Sequence, residues 1–210
     1  MSTNAQAYEA GDMILRVGAA SANPSDSSSN IKIQGIGSVA GTGVEVGSNT
    51  QVGLTGTYML SPNLGIELLA STPFKHDIDA KGLGGFNVKN LGSTKHLPPT
   101  LSVQYYPMGS GSAFQPYVGL GVNYTLFFSE ELSSSAKNNL GASDLKLDDS
   151  VGLAGELGMD WAINDKWLLN VAVWKVKMNT TATLDTALGK AKVDVDIDPW
   201  VFMASAGYKF

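Results

Sequence analysis

Few side chains in this sequence are spaced to perform covalent chemistry or to hold a metal ion. The 210 residues include no cysteine, which excludes a thiolate nucleophile, a disulfide framework and a thiolate metal site. The two histidines, His76 and His96, could bind a transition metal together with Asp77, but their spacing is long and no further ligand is clear. No Ser–His–Asp set, phosphate-binding loop or carboxylate dyad occurs at a motif spacing. We therefore expect no enzyme, no metal site and no cofactor.

Five charged residues interrupt otherwise apolar, alternating segments: Arg16, Glu67, Glu156, Asp160 and Lys209. Each falls on the face opposite to the apolar one. In a narrow interior these opposite charges would pair and form a plug that blocks ions and water. A proton or ion pathway is the alternative interpretation, because isolated buried charges are costly and call for a functional explanation.

Composition argues against a nucleic-acid partner and a membrane-spanning helix. The net charge is −5, charged residues make up 16% of the chain and hydrophobic residues 43%, and the sequence has no basic cluster. No apolar run reaches eighteen residues. Ala5-Gln6-Ala7 has the small-x-small form that signal peptidase reads. Residues 1–7 are therefore expected to be the remnant of a processed or engineered N-terminus, or an ordinary disordered terminus, and residues 8–210 a single domain.

The elements that position the charges are β-strands, because apolar and polar residues alternate with a period of two along most of the chain. Eight segments show this alternation: 11–20, 50–60, 63–74, 96–109, 115–128, 149–163, 166–181 and 199–210. In the seventh segment two faces compete, one beginning at Trp167 and the other at Leu168. We assign the Trp167 face to the outside, which puts Lys175 and Lys177 at an edge where their long stems can snorkel.

The connections between these segments alternate in length. Three are tight turns: 61–63, 107–114 and 164–165. Four are long and rich in Gly, Ser, Asn, Asp and Lys: 21–49, 75–98, 129–148 and 179–198. Aromatic residues cluster near strand ends: Tyr58, Tyr105, Tyr124, Phe128, Trp161, Trp167, Trp200 and Tyr208. Such sidedness and such aromatic girdles are typical of outer-membrane barrels.

The distribution of charge selects between two kinds of barrel. The apolar faces carry almost no charge, whereas a soluble barrel keeps its apolar side chains inside and its charges outside. The sequence therefore predicts an all-β fold, an eight-stranded antiparallel transmembrane β-barrel with short periplasmic turns and long extracellular loops. Its location would be the bacterial outer membrane, and its first partner the outer-membrane lipid.

Several stretches resemble the OmpW family of outer-membrane proteins, in particular its OprG-like branch. They are "AYEAGDMILRVGAA", "TQVGLTGTYML", "GIELLASTPFKH", "HLPPTLSVQYYPMG", "FQPYVGLGVNYTLFF", "SDLKLDDSVGLAGELGMDW" and "DPWVFMASAGYKF". The resemblance covers strands and turns from Tyr8 to Phe210, and the long loops match less. It implies a narrow, largely hydrophobic lumen and passive uptake of small hydrophobic molecules, or of small neutral amino acids in some members. The terminal Tyr208 and Phe210 resemble the signal read by the outer-membrane assembly machinery.

The resemblance also singles out two apolar residues that face the lumen, Leu69 and Trp174. They match family positions proposed to constrict the channel floor. A Trp fills most of the width of an eight-stranded barrel, and an inward apolar pair suits a pocket for apolar solutes. Plain packing is the alternative, because a small barrel needs side chains to fill it.

Pro98 and Pro99 open the fourth segment, and Pro73 lies nearly opposite at the end of the third. A proline has no N–H and removes a possible ladder bond. Unpaired backbone within hydrocarbon is costly, so a gap here should line an opening near the outer interface. The three prolines then mark a lateral gate through which an apolar solute reaches the bilayer. Alternatively, the prolines only end a strand or guard an edge.

Two classes of function remain open from the sequence. The first is an outer-membrane channel for small apolar solutes, with small neutral amino acids as a variant. The second is a surface receptor or interaction protein that acts through its long loops, such as 129–148. The sequence leaves the oligomeric state open.

Overall fold

The computed structural model describes residues 8–83, 85, 88–108 and 112–210. The expectation for residues 1–7 lies outside this range, as does the middle of the turn predicted at 107–114. Within the described residues the only helix is α1, Ser134–Leu140, and none is long and apolar enough to cross a membrane. The strands are β1 Met13–Asn23, β2 Ser27–Ser28, β3 Lys32–Ile33, β4 Gly37–Ser38, β5 Gly43–Val46, β6 Asn49–Ser61, β7 Leu64–Ser71, β8 Phe74–Lys81, β9 Asn90–Leu97, β10 Thr100–Tyr105, β11 Phe114–Leu132, β12 Asp144–Leu147, β13 Ser150–Ala162, β14 Trp167–Val176, β15 Asn179–Thr186, β16 Gly189–Asp196 and β17 Trp200–Lys209.

Eight antiparallel strands close into a barrel. Their order around the wall is β1, β6, β7, β10, β11, β13, β14 and β17, and β17 pairs back to β1. Closure is tight at the base, where the N–H of Phe210 donates to the carbonyl of Met13 at 2.9 Å. The predicted eight-stranded antiparallel barrel is confirmed. Such closure removes sheet edges and pairs backbone groups within the wall.

The barrel wall is apolar outside and polar inside. Leu120 and Leu153 are 77% and 73% exposed on the outer face. Along β14, Trp167, Leu169 and Val171 point outward while Leu168, Asn170, Ala172 and Trp174 are buried, which confirms the face assigned from the sequence. A continuous apolar belt of this kind is stable in lipid and would aggregate in water.

Aromatic side chains mark both ends of this belt. At the base, Trp161 stacks on Phe114 with ring centroids 5.4 Å apart, and Trp167 meets Tyr208 edge-on at 5.0 Å. At the outer end the Lys175 ammonium lies 5.1 Å from the ring centroid of Trp200 and donates to the carbonyl of Asp198. Lys175 and Lys177 thus lie at the outer edge of the belt, where Lys177 pairs with Asp196 and Asp198.

The long extracellular connections between the barrel strands contain much β-structure, which the sequence analysis did not predict. Strands β5, β8 and β9 extend the wall above the belt, and a second sheet is formed by β2, β3, β4, β12, β15 and β16. Their inward positions are apolar, as at Val193 and Val195, while Lys192, Asp194 and Asp196 face outward. This outer extension therefore stands in water. The charged and polar residues on its outward face give these segments the composition of loops, although apolar and polar residues alternate along them as in strands.

The proline pair divides the fourth predicted strand into two strands. β9 ends at Leu97 and pairs with β8, while β10 begins at Thr100 and pairs with β7. The prediction that Pro98 and Pro99 open a single fourth strand is therefore corrected: a strand lies on each side of the two prolines. The break remains because a proline cannot donate to either neighbour.

Placing a charge on the belt tests the assignment of the outer face to lipid. Leu120→Arg is expected to reduce the free energy of unfolding in lipid vesicles by roughly 2–4 kcal/mol, the cost of a cation near the bilayer midplane. Leu188→Arg, at a residue that is 55% exposed in the outer extension, is the matched control and should change it little. Denaturant titration followed by tryptophan fluorescence gives both values. Equal effects of the two substitutions would contradict the assignment.

Candidate functional site

The lower half of the lumen is closed by a network around Arg16. Its guanidinium is fully buried and contacts two carboxylates, Glu67 at 3.1 Å and Asp160 at 2.5 Å. It also donates to the hydroxyl of Thr57 at 2.7 Å and to that of Tyr106 at 3.2 Å. A buried charge of this kind is stable only when its donors are all engaged, so the five side chains form one unit.

Neutral side chains extend this network across the lumen. The Gln104 amide donates to Glu156 at 2.9 Å and accepts from Tyr106 at 2.8 Å. Asn170 donates to Asp160 at 2.8 Å and to the Tyr117 hydroxyl at 2.9 Å. Together these residues form the plug: Tyr8, Arg16, Thr55, Thr57, Glu67, Gln104, Tyr106, Tyr117, Glu156, Asp160 and Asn170. Most of their polar atoms bond to one another across the lumen, while one carboxylate oxygen of Glu67 and one of Glu156 have no partner among the described residues.

Glycines on the inner face make room for the plug. A Cβ at Gly158 would lie 2.2 Å from the Tyr117 ring, and one at Gly119 would lie 2.6 Å from the Glu156 carboxylate. A barrel of eight strands has little interior width, so a large side chain on one strand requires a small residue on the next. The abundance of glycine in the sequence did not by itself identify these two positions.

Four of the five predicted plug charges meet in this network, and Lys209 does not. Arg16, Glu67, Glu156 and Asp160 are all buried, whereas the Lys209 ammonium pairs with Asp12 at 3.5 Å. The sequence interpretation that put Lys209 in the plug is corrected on this point. Lys209 is the last residue of β17 and lies two residues beyond Gly207, which is paired with Arg16.

Leu69 and Trp174 lie at the boundary between the plug and the space above it. In the wall, Leu69 is paired with Thr55 of the plug on one side and with Thr100 on the other. Trp174 is paired with Glu156 of the plug and with Val201. Both residues are buried, and the Trp174 indole N–H has no hydrogen-bond partner among the described residues. The pair therefore covers the polar plug with an apolar layer.

Three cavities with almost wholly apolar walls follow one another above the plug. The outer cavity, of about 250 Å³, lies in the extension between Ile31, Val44, Ile78, Leu91, Leu145 and Val193. The middle cavity, of about 20 Å³, shares Val44, Ile78 and Ala182 with it and adds His76, Thr94, His96 and Phe127. The seam cavity, also of about 20 Å³, includes Leu69, Ser71, Phe74, His96, Pro98 and Val201. His96 belongs to both inner cavities.

The seam cavity adjoins a gap in the ladder of the wall. The last pair between β7 and β10 is Leu69 with Thr100, and the first pair between β8 and β9 is Phe74 with His96. Residues 70–73 and 97–99 are therefore not paired with each other, although Ala70 and Ser71 pair with β6 and Leu97 pairs with β11. We call the two segments the seam. The three predicted prolines all fall within it, Pro73 exposed on the outside and Pro98 and Pro99 half-buried. Of the three, Pro98 lines the seam cavity.

Asn123, which the sequence did not single out, replaces the missing ladder at the seam. Its side-chain amide donates to the carbonyls of Pro98 at 3.1 Å and Pro99 at 3.3 Å, and to the Thr100 hydroxyl at 2.9 Å. The Asn123 carbonyl oxygen accepts from Thr125 at 2.7 Å. Carbonyls at a strand break in lipid need such partners. In the sequence, the only sign of this role was that Asn123 is a polar residue on the inward face of a strand that pairs with the segment after Pro98 and Pro99.

Two histidine rings line the middle cavity in the outer extension. The rings of His76 and His96 are stacked with centroids 4.8 Å apart, and Phe74 and Phe127 flank His96 at 5.5 and 5.6 Å. Burial disfavours the charged imidazolium and lowers the pKa of both rings, that of His96 to about 3. The walls of this cavity are therefore uncharged at neutral pH.

The geometry of this pair does not converge on a metal ion. The rings lie face to face at an interplanar angle of 18°, which keeps their lone pairs side by side, and Asp77 is exposed on the opposite face of β8. Across the described part of the chain, no group of three His, Cys, Asp or Glu side chains could hold a metal ion.

An eight-stranded barrel with a lipid-facing apolar belt, aromatic girdles and charges inside belongs to the class of outer-membrane β-barrels. The chain belongs to the OmpW family, whose model matches residues 9–210. Outer membrane protein W of Vibrio cholerae serotype O1 is 47% identical over 97% of this chain and 91% of its own, and that of Escherichia coli K12 is 43% identical over 100% and 93%. The crystal structure of OprG from Pseudomonas aeruginosa is similar with a TM-score of 0.93 and 52% identity, covering 97% and 98% of the two chains. These relatives are outer-membrane proteins, and this chain is a protein of the bacterial outer membrane.

Removing the central cation tests the plug. Arg16→Met leaves buried carboxylates without their partner and is expected to lower the free energy of unfolding by roughly 3–5 kcal/mol. Lys209→Met, which breaks a pair at the rim, should cost about 1 kcal/mol or less. Denaturant titration in lipid vesicles measures both. A similar loss for the two variants would show that Arg16 does not organise the lumen.

The two histidines provide a pH test in the outer extension. Because burial favours the neutral rings, neither should titrate near the ordinary pKa of about 6.5, and His96 should remain neutral down to about pH 3. Histidine ring signals in NMR spectra recorded from pH 8 to pH 4 check this, since the chain has two histidines. A midpoint near 6.5 for His96 would mean that its ring is in contact with water.

Proposed function

We propose that this barrel is a passive channel that takes small apolar molecules from outside the cell and releases them sideways into the outer membrane. The observation that carries the proposal is the succession of three apolar cavities that ends at the seam, above a plugged lumen. Membership of a family of outer-membrane barrel proteins supports a channel or transport role in general. The family resemblance also implies an apolar permeant, and we propose both this permeant and the lateral exit for this chain with the support of the geometry.

The outer cavity has the size and lining for a small apolar solute. Its volume is about 250 Å³, and an apolar cavity of about 150 Å³ elsewhere binds benzene. Polar side chains contribute little to its wall, so a hydrocarbon would lose no hydrogen bonds on entry and would gain dispersion contacts. Entry from water is then favourable by burial of apolar surface.

Release through the seam requires a local movement. The middle and seam cavities are each about 20 Å³, close to the space for one water molecule. A solute can pass only if the two sides of the seam separate. Residues 70–73 and 97–99 have no ladder bonds to break across this line, so separation there costs less than anywhere the ladder is complete. Pro73, Pro98 and Pro99 have no N–H groups with which to form such bonds, and we propose that they act as the lateral gate.

The plug directs the solute to the side. Beneath Leu69 and Trp174, which we propose form the floor of the route, an apolar molecule would meet bonded charges and amides that it cannot replace. Breaking contacts such as Arg16 to Asp160 at 2.5 Å would leave charges unpaired in the barrel. The same plug opposes straight passage of small neutral amino acids, which is the alternative permeant class. We further propose that Tyr208 and Phe210, on the outer face of the closing strand, serve as the assembly signal.

Restoring the missing donors tests the gate. In Pro98→Ala/Pro99→Ala the new N–H groups can pair across the seam, and uptake is expected to fall severalfold while the barrel still folds. The rate at which an apolar fluorescent probe such as N-phenylnaphthylamine enters intact cells expressing each variant measures this. Pro116→Ala, in a strand region paired with Met159, is the control and should leave the rate unchanged.

The outcomes separate the candidate functions. An unchanged rate for the folded double variant would contradict the lateral gate. Swelling of vesicles in glycine or alanine that depends on wild-type protein would favour the amino-acid channel instead. If neither probe is transported, and deletion of 129–148 abolishes an interaction at the cell surface, the loop-mediated role would replace transport.

A further inference from the structure

We propose that His96, with Ser71 beside the seam, forms a hydrogen-bonding site within the apolar route, and that its ligand is a small neutral apolar molecule that carries one O–H or N–H group, such as a phenol. This inference rests on the proposed function and deepens it, because it names the permeant class. In the channel proposal, His96 and Ser71 only form part of the cavity walls.

His96 occupies the narrowest part of the route. It is 4% exposed and belongs to both the middle and the seam cavity, so a solute that moves from one to the other passes its ring. The aromatic rings of Phe74 and Phe127 flank it within 5.6 Å. Flat aromatic molecules stack favourably in such surroundings.

One nitrogen of the His96 imidazole lacks a hydrogen-bond partner. This atom, Nδ1, is buried and has no partner among the described residues. A buried polar atom without a partner is costly and uncommon in a folded protein. A ligand that brings its own donor would remove this cost, and a pure hydrocarbon would not.

Ser71 supplies a second such atom nearer to the bilayer. Its hydroxyl oxygen is buried without a partner, and Ser71 lines the seam cavity together with His96. The other hydroxyls of the inner route are engaged: Thr94 donates to the carbonyl of Lys95 and Thr180 to that of Asp148. His96 and Ser71 are therefore the two unused polar positions between the middle cavity and the seam.

A hydrogen bond fixes the tautomer of the His76 ring, next to His96. Its Nδ1 bonds to the carbonyl of Gly47, which can only accept, so this nitrogen carries the proton and the neutral ring presents a lone pair at Nε2. Burial lowers the pKa of both histidines. Each neutral ring keeps one acceptor nitrogen and the Ser71 hydroxyl can also accept. This part of the route is therefore uncharged and can accept a hydrogen bond from a neutral ligand, which favours such a ligand over an anion or a cation.

Two probes of the same shape test the site. p-Cresol and p-xylene differ by a hydroxyl in place of a methyl group, and their binding to the full chain in lipid nanodiscs is measured by ligand-detected NMR, with empty nanodiscs correcting for partition into lipid. The wild-type chain is expected to prefer p-cresol by roughly fivefold, the effect of one neutral hydrogen bond. His96→Phe keeps a stacked ring without its nitrogens and should abolish the preference while p-xylene binding is retained. Thr94→Val, a change in the same wall, is the control and should preserve it.

The outcomes distinguish this inference from the channel proposal. Equal binding of the two probes to the wild-type chain, or a preference that survives His96→Phe, would overturn the hydrogen-bonding site and leave the apolar route intact. Absence of specific binding for both probes would overturn the route itself. If His96→Phe does not fold, ¹⁵N spectra of the wild-type imidazoles decide: a shift with p-cresol and none with p-xylene supports the site, and no shift with either overturns it.

Discussion

Lipid offers no hydrogen bonds, so a wall that stands in a bilayer must satisfy its own backbone. This constraint explains why eight strands close completely and why the wall is apolar outside. It also makes the seam unusual, since two prolines and residues 70–73 interrupt the ladder at the outer end of the belt. Partners on β11 support the interruption: the Asn123 side chain donates to the carbonyls of Pro98 and Pro99, and the Tyr124 backbone N–H donates to that of Pro99. These two carbonyls are therefore bonded although the two sides of the seam are not paired with each other.

The same constraint decides what fills the lumen. With apolar side chains on the lipid face, the alternation of each strand sends polar residues inward, where the barrel is too narrow for bulk water. Those residues must then bond to one another. Arg16 is the centre of these contacts, because it bonds to Glu67, Asp160 and two hydroxyls. Above the level of Leu69 and Trp174 the inward residues become apolar, and the filled plug gives way to cavities. The inward positions of the strands thus carry polar residues near the base of the barrel and apolar residues near its top.

The sequence predicted those features that depend on alternation and on proline. The lipid-facing side of β14, the inward position of Arg16 and the break at Pro98 all follow from local rules that hold whatever the neighbours are. The outer extension was not predicted, because its strands carry Asp, Lys and Thr on their outward face and so resemble loops in composition. Lys209 was misplaced because its height relative to the plug depends on strand stagger, which a single strand does not reveal. The role of Asn123, the clearance at Gly158 and the stacking of the two histidines depend on contacts between distant strands, so the sequence could indicate these residues at most and not their contacts.

The position of the seam relative to the plug has a consequence for selection. A solute that leaves through the wall never crosses the charged level, so the plug exerts no selection on it beyond closing the floor. Selection must then occur in the outer cavities, whose walls are apolar except for the few side chains near His96. A hydrocarbon and a phenol of equal shape differ there only in what they offer to an unbonded nitrogen and hydroxyl. Because each unmet polar group in a dry cavity is costly, the proposed route would discriminate between such solutes chiefly at these two atoms.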